Sequence, residues 1–283
     1  MRVVRASHLG MCFGVKGAIT KVLRAGAREP LTVLGELVHN ETVVGQLVER
    51  GIRLRHEVEE VDTHFVAITA HGASDHRRDA LREKGLRVLD ATCPIVRSAH
   101  QAILGLARDG FHPVIVGKRN HVEVRGLTED LDAFDVILDE EDVRQLAARP
   151  RYGVASQTTQ PIERVRHLAA LIGQRFPESE VRVAETVCVP TILRQEAAVE
   201  LASRCDVVVV VGGAKSNNTR ELAATCARYC PRVFQVQAAC DLRAEWFEGA
   251  RVAGLPAGTS TPDEIIDEVE TSMRAIARRR RVA

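Results

Sequence analysis

The chain has 283 residues, 45% of them apolar, a formal net charge of +1 and only 4% aromatic residues. That supports two or three cored domains and excludes a generalised nucleic-acid or membrane-surface binder. Seven cysteines, an odd number with no small-disulfide spacing, predict a reduced, cytoplasmic protein that uses some of its thiols for metal or catalysis.

The start, Met1-Arg2-Val3-Val4, enters a short strand and has no signal-peptide core. The longest aliphatic run, Val207–Val211, is far too short to span a bilayer. From Cys12 onward, Val15, Ile19, Val22 and Leu23 recur at helical spacing. A buried strand at 32–34 follows, then a helix capped by Asn40. The pattern continues with a strand at 64–69, a helix capped by Ser74 and a short strand at 86–89. Pro94, directly after Cys93, fits the first position of the next helix. Beyond it come a strand at 113–116, a charged segment at 130–150 with an extra short strand and helix, a strand at 153–155 and a helix through Ile172. After Cys188 a helix runs to about Ser203, and Val207–Val211 reads as a central parallel strand. Asn218 with Glu221 resembles a capping box. Arg251 to Leu255 is the last strand, and Thr261-Pro262-Asp263-Glu264 opens the last helix, whose basic end, Arg278 to Arg281, reads as a solvated tail.

Strand–helix alternation throughout predicts an α/β fold with parallel sheets. It also falls into three similar stretches, 1–92, 93–187 and 188–283. Each contains a cysteine just before a helix: Cys12, Cys93 and Cys188. Polar loops with His39, His121 and Ser216 lie 27 or 28 residues after these cysteines. A second set of loops holds His71-Gly72, Gln157-Thr158-Thr159 and Gly258-Thr259-Ser260. Every one of them follows a strand, where open α/β sheets place ligands.

Helix N-termini favour thiolates, so these three cysteines are candidate metal ligands. The absence of a close C-x-x-C pair argues against structural zinc. Three widely spaced thiolates suit a [4Fe–4S] cube with one iron left open. Cys226 and Cys230 lie four apart on one helix and could pair on a metal, although core or semi-buried thiols are the expectation there, as for Cys205 and Cys240. His39, His71 and His121 are candidate donors to an anion. Glu123 in that setting would be pushed toward protonation and suits a general acid. Ser216, Asn218 and Ser260, before helix starts, suit a phosphate site. Two other classes stay open: a non-catalytic iron–sulfur electron carrier or sensor, and a zinc hydrolase using His121 and Glu123.

Taken together, Gly10-Met11-Cys12-Phe13-Gly14-Val15, Val38-His39-Asn40, Ala70-His71-Gly72 and Asp90-Ala91-Thr92-Cys93-Pro94 form an ordered set. It continues with His121-x-Glu123-Val124, Gln157-Thr158-Thr159, Cys188 with Arg194-Gln195-Glu196, Ser216-x-Asn218-Thr219 and Ala257-Gly258-x-Ser260-x-Pro262-Asp263. Across essentially the whole chain this resembles the 4-hydroxy-3-methylbut-2-enyl diphosphate reductase family, also called IspH or LytB. The resemblance implies three α/β modules in a trefoil around a [4Fe–4S] cluster held by Cys12, Cys93 and Cys188. It implies diphosphate binding by His39, His71, His121, Ser216, Asn217, Asn218 and Ser260, a proton donor at Glu123, and Thr158 and Thr191 near the substrate. The implied reaction is reductive dehydroxylation of an allylic diphosphate, with reduced ferredoxin or flavodoxin as electron donor. Val122, Pro190, Lys215, Pro256 and Thr259 depart from the family's usual residues.

Overall fold

The computed structural model describes residues 1–282 of the chain, and the side chains of 279–282 also lie outside the described residues, so the reading of the basic tail is left there. In chain order the first elements are β1 (Arg2–Arg5), α1 (Phe13–Gly26), β2 (Leu31–Leu34), α2 (Glu41–Glu49), β3 (Arg53–Arg55), β4 (Phe65–Ile68), α3 (Asp75–Glu83) and β5 (Arg87–Asp90). The middle stretch holds α4 (Pro94–Arg108), β6 (His112–Val116), α5 (Val122–Thr128), β7 (Asp135–Ile137), α6 (Glu140–Gln145), β8 (Arg151–Ser156), α7 (Ile162–Arg175) and β9 (Glu180–Val183). The last stretch holds α8 (Val189–Ala202), β10 (Val207–Val211), α9 (Asn217–Ala227), β11 (Val233–Val236), β12 (Val252–Leu255) and α10 (Asp263–Val282).

The strands form three four-stranded sheets, in the orders β3-β2-β4-β5, β7-β6-β8-β9 and β11-β10-β12-β1, and every pairing is parallel. The α/β class and the parallel sheets expected from the pattern are therefore present. The three orders are the same order. In the third sheet the fourth place is taken by the first strand of the chain, with Arg2 opposite Val252 and Arg5 opposite Leu255. As a result each of the three cysteines follows the fourth strand of a sheet and precedes a helix: β1 to Cys12 to α1, β5 to Cys93 to α4, and β9 to Cys188 to α8.

The central strands are the ones whose residues are apolar on both faces. Every residue of β2, β4 and β10 is buried, as expected for a strand covered on both sides. The outer strands β3 (RLR) and β9 (EVRV) carry charges on open faces, which blunts the edges against further pairing. Around β10 the core is Val3, Val207, Val209, Val211, Phe247, Leu255, Ile266 and Met273. In the second sheet, Ile103, Ile115, Val124, Leu127 and Ala155 play that part.

The chain divides into two compact units. The first comprises 1–15, 39–44 and 189–283, and the second 16–38 and 45–188. The first holds the β11-β10-β12-β1 sheet and the second holds the other two.

Candidate functional site

In the second unit, the loops after the two central strands of each sheet carry the polar residues. The loop after β4 is held through both backbone groups of Ala70: its N–H donates to Leu37 O at 3.1 Å, and its carbonyl accepts the Cys93 N–H at 3.0 Å. Cys93, one of the proposed ligands, is thus fixed to the loop that carries His71. Pro94 occupies the first turn of α4, as its missing N–H allows. Ser74 caps α3, accepting from the Arg77 N–H. The His71 and His121 rings meet edge to face, 5.5 Å apart at 87°.

His121 is the N-cap of α5: its Nδ1 accepts the Glu123 N–H at 3.1 Å. In the neutral ring the proton then sits on Nε2, which makes that edge a donor. Glu123 lies in the first turn of the same helix and is only 2% exposed. Its Oε1 accepts the Thr158 N–H at 2.6 Å. Burial pushes this carboxyl up to about 7, against the pull of the Thr158 N–H and hydroxyl, which favour the charged form. The same Thr158 peptide turns its carbonyl to the Cys188 N–H at 2.9 Å. Its loop is held by Gln157, whose side chain accepts the Lys118 N–H and donates to the Thr159 hydroxyl.

A second polar cluster in this unit is structural. The Asp130 carboxylate accepts the Asp75 and His76 N–H groups at the start of α3, at 2.7 and 3.1 Å. It also lies 2.9 Å from His100 Nε2 and 2.8 Å from His76 Nδ1. Its two oxygens accept the N–H groups at the start of α3.

In the first unit, the Cys12 N–H donates to Thr259 O at 3.0 Å. Two residues earlier, the Gly10 carbonyl is gripped by Arg194 through Nε at 3.1 Å and Nη2 at 2.6 Å. Gly10 has φ +75°, a conformation that strains residues with a Cβ, and a Cβ there would lie 2.9 Å from Asp263 Oδ1. Arg194 was visible in the sequence only as part of a motif. Its signal is that it is the one basic residue of α8, in a turn whose neighbours are buried.

His39 precedes Asn40, whose Oδ1 caps α2 by accepting the Val43 N–H at 3.1 Å. The His39 carbonyl accepts the Ser260 hydroxyl at 3.3 Å. A Cβ on Gly213 would come within 2.6 Å of that carbonyl, so the loop after β10 lies directly against it. The α9 start differs from the capping-box expectation. Ser216 is the N-cap and accepts the Thr219 N–H, whereas Asn218 sits inside the first turn and its Oδ1 accepts the Thr259 N–H at 3.0 Å. The cap is taken by the residue already outside the helix, which leaves Asn218 to tie the two loops together. Likewise Thr261, expected as a cap, donates its hydroxyl to Val211 O at 3.0 Å.

The outcome is a set of buried donors in search of an acceptor. The Asn217 and Asn218 side-chain N–H₂ groups are buried and have no hydrogen-bond partner. Both sit at the N-terminus of α9, beside Ser216 and Ser260, which are 4% and 5% exposed. Unpaired buried donors are costly, and a helix N-terminus favours negative charge, so the arrangement is suited to an anion. Thr191 is fully buried in the first turn of α8.

Cys12, Cys93 and Cys188 are partly exposed at helix starts, whereas Cys226 and Cys230 are buried. Two expectations are corrected: α9 ends at Ala227, so Cys230 lies beyond the helix that carries Cys226, and Cys240 is exposed rather than a core or semi-buried thiol, while Cys205 is partly buried. Burial pushes the Cys226 thiol to about 12 and that of partly buried Cys205 to about 11. Such thiols are poor ligands and behave as small hydrophobes.

Comparison with known proteins gives one answer. A family model described as LytB protein matches residues 3–274. A 4-hydroxy-3-methylbut-2-enyl diphosphate reductase of Pelobacter propionicus is 38% identical over 271 residues, covering 95% of this chain and 96% of the relative. The reductase of that name from Aquifex aeolicus is 37% identical over 283 residues, covering 97% of this chain and 96% of the relative. The solved structure of the Plasmodium falciparum E-1-hydroxy-2-methyl-but-2-enyl-4-diphosphate reductase superposes with a TM-score of 0.90 at 25% identity, covering 95% of this chain and 87% of that one. A second solved structure, of (E)-4-hydroxy-3-methyl-but-2-enyl diphosphate reductase, the terminal enzyme of the non-mevalonate pathway, gives 0.69 at 35% identity, covering 97% of this chain and all of that one.

Proposed function

The chain belongs to the LytB protein family, and we propose on that premise that it is a 4-hydroxy-3-methylbut-2-enyl diphosphate reductase. It removes the allylic hydroxyl of its substrate as water, with two electrons and two protons. The products are isopentenyl and dimethylallyl diphosphates, at the last step of the non-mevalonate route to isoprenoids. The observation that carries this reading is Glu123, a carboxyl only 2% exposed and held by the Thr158 N–H at 2.6 Å; burial raises it toward neutral pH, where a general acid works best.

Cys12, Cys93 and Cys188 are the residues that would hold a [4Fe–4S] cluster, through their three thiolates. The support is their partial exposure and their shared place between a fourth strand and a helix start. When bound, the cluster supplies electrons and polarises the hydroxyl oxygen. The chain's own residues do the rest. Asn217 and Asn218 offer their unpartnered amides to the diphosphate, together with Ser216, Ser260, His39, His71 and His121. Glu123 delivers a proton to the leaving oxygen, and Thr158 fixes the direction of that carboxyl through its N–H. Thr191 lies near the hydrocarbon part of the substrate. Reduced ferredoxin or flavodoxin supplies the electrons, and the enzyme works in the cytoplasm. Among the described residues no helix is long and apolar enough to cross a membrane.

The test is anaerobic purification followed by an iron assay and a visible spectrum, then turnover of the allylic diphosphate with dithionite and methyl viologen. Formation of both products by an iron-loaded protein is expected. A colourless, iron-free protein after reconstitution would overturn the reading.

A further inference from the structure

Helix α1 begins directly after Cys12 and separates cleanly into two faces. Gly14, Ala18 and Val22 are buried, whereas Phe13, Lys16, Gly17, Thr20, Lys21 and Arg24 are exposed and recur at the spacing of one helix face. That face carries three basic residues and no acidic one. Among the described residues neither Lys21 nor Arg24 forms an ion pair; Lys21 Nζ only reaches the Asp90 carbonyl, at 3.5 Å. Phe13, at the head of the face, is 58% exposed. In the middle, Gly17 has nothing within 4 Å of where a Cβ would stand, although glycine in an exposed helix interior is destabilising relative to alanine. No packing partner within the protein accounts for that residue.

The two sister helices lack this face. On α4, Arg97 is paired with Asp90 at 2.8 Å. On α8, Glu196 and Glu200 are exposed and acidic. Of these three helices, only the one after Cys12 joins an exposed aromatic ring, a flat glycine and two basic residues, Lys21 and Arg24, without an ion pair among the described residues. The protein as a whole carries only +1, so this is a local feature.

We propose that the exposed face of α1 is the docking surface for an acidic one-electron carrier protein, seated with its redox centre toward Phe13 and Cys12. The proposal rests on the reductase reading above. Complementary charge steers encounter and fixes orientation. The flat stretch at Gly17 admits close approach, and the aromatic ring gives the apolar contact found at the centre of interfaces. Each encounter moves one electron from the carrier to the cluster centre and leaves the carrier oxidised by one. Two encounters complete a turnover, with the two protons coming from within the enzyme and from solvent.

The test uses the iron-loaded protein and a reduced, acidic ferredoxin as electron source, beside dithionite and methyl viologen. In the double variant Lys21→Glu/Arg24→Glu the KM for ferredoxin is expected to rise by about tenfold or more at low salt. Its dependence on ionic strength should weaken or reverse, while iron content and the viologen-supported rate stay at wild-type values. Phe13→Ala should raise the KM several-fold without altering the salt dependence. If the double reversal lowers iron content, the milder Lys21→Gln/Arg24→Gln is measured instead, with a smaller rise in the same direction. A ferredoxin KM within about twofold of wild type in the iron-loaded charge variant would overturn the docking surface. Loss of the viologen-supported rate in wild type itself would instead overturn the reductase reading.

Discussion

The Thr158 N–H donates to Glu123 Oε1 at 2.6 Å, and the carbonyl of the same residue accepts the Cys188 N–H at 2.9 Å. A single residue therefore sets the direction of the buried acid and the position of a cysteine loop. The first bond is short and buried, and the second, of ordinary length, reaches a partly exposed cysteine.

Replacing Glu123 by Gln should leave iron content and substrate binding intact while lowering turnover by about 10²-fold or more. The pH dependence follows from the direction of the shift. Burial raises this carboxyl to about 7, so the proton is present below that pH and is lost as pH rises through it. The wild-type viologen-supported rate should fall on the alkaline side of about 7, and the residual rate of Glu123→Gln should show no such limb. Folding follows the same sign: between the ordinary carboxyl range and about 7 the native state binds the extra proton, so stability falls as pH rises across that window. Thermal melts from pH 5 to 8 should show this slope in wild type and lose it in Glu123→Gln.

Cys12→Ser, Cys93→Ser and Cys188→Ser should each lose most of their iron after anaerobic reconstitution. Cys226→Ser and Cys230→Ser should keep it, because those side chains are enclosed in the core beside Val208, Val210 and Leu222. Iron per chain decides the matter, and full retention in Cys93→Ser would remove that residue from the ligand set.

The pattern that reveals the fold in the sequence is strongest where burial is complete. Val207 to Val211 is apolar throughout and is a central strand. Cys93-Pro94 marks a helix start because only there is a missing N–H harmless. The edge strands β3, β9 and β11 were not legible: Arg53-Leu54-Arg55 and Glu180-Val181-Arg182-Val183 are short and charged and depend on their neighbours for definition. The partner of β1 was equally hidden, since nothing in Arg2 to Arg5 points to Val252 to Leu255. Candidate donors could be named from loops that follow strands. The division of labour between Ser216 and Asn218 could not, because it depends on the position of Thr259.

Inorganic diphosphate should compete with the substrate, and Ser260→Ala should weaken that competition by about tenfold, the value of a hydrogen bond to a charged group. Asn218→Ala should weaken it further, because it removes a donor and also strands the Thr259 N–H. Inhibition constants measured with the viologen assay distinguish the two. Unchanged inhibition in both variants would leave these residues as loop ties only.

Gly213→Ala introduces a Cβ within 2.6 Å of the His39 carbonyl. The backbone must give way, at a cost of about 1–3 kcal/mol. Lower thermal stability together with weaker diphosphate inhibition is expected, since the same carbonyl accepts the Ser260 hydroxyl.

Burial acts to raise the Asp130 carboxyl, but the Asp75 and His76 N–H groups, together with His100, override it and hold it below the usual carboxylate range. Its contribution is present above the ordinary aspartate pKa and is lost as pH falls through the lowered native value. Asp130→Asn should cost about 1 kcal/mol, in the range of a lost helix cap, and should flatten the acid limb of the stability curve. Urea unfolding between pH 3 and 6 measures both.

The pairing of β1 with β12 joins residues about 250 positions apart. The sheet that carries the Cys12 loop can therefore gain its fourth strand only after the roughly 250 residues that follow it have been synthesised. The other two sheets, drawn from residues 31–183, are complete long before. Because β1 lacks its native partner until then, the yield of folded protein is expected to depend on growth temperature and chaperone supply more than its stability would suggest.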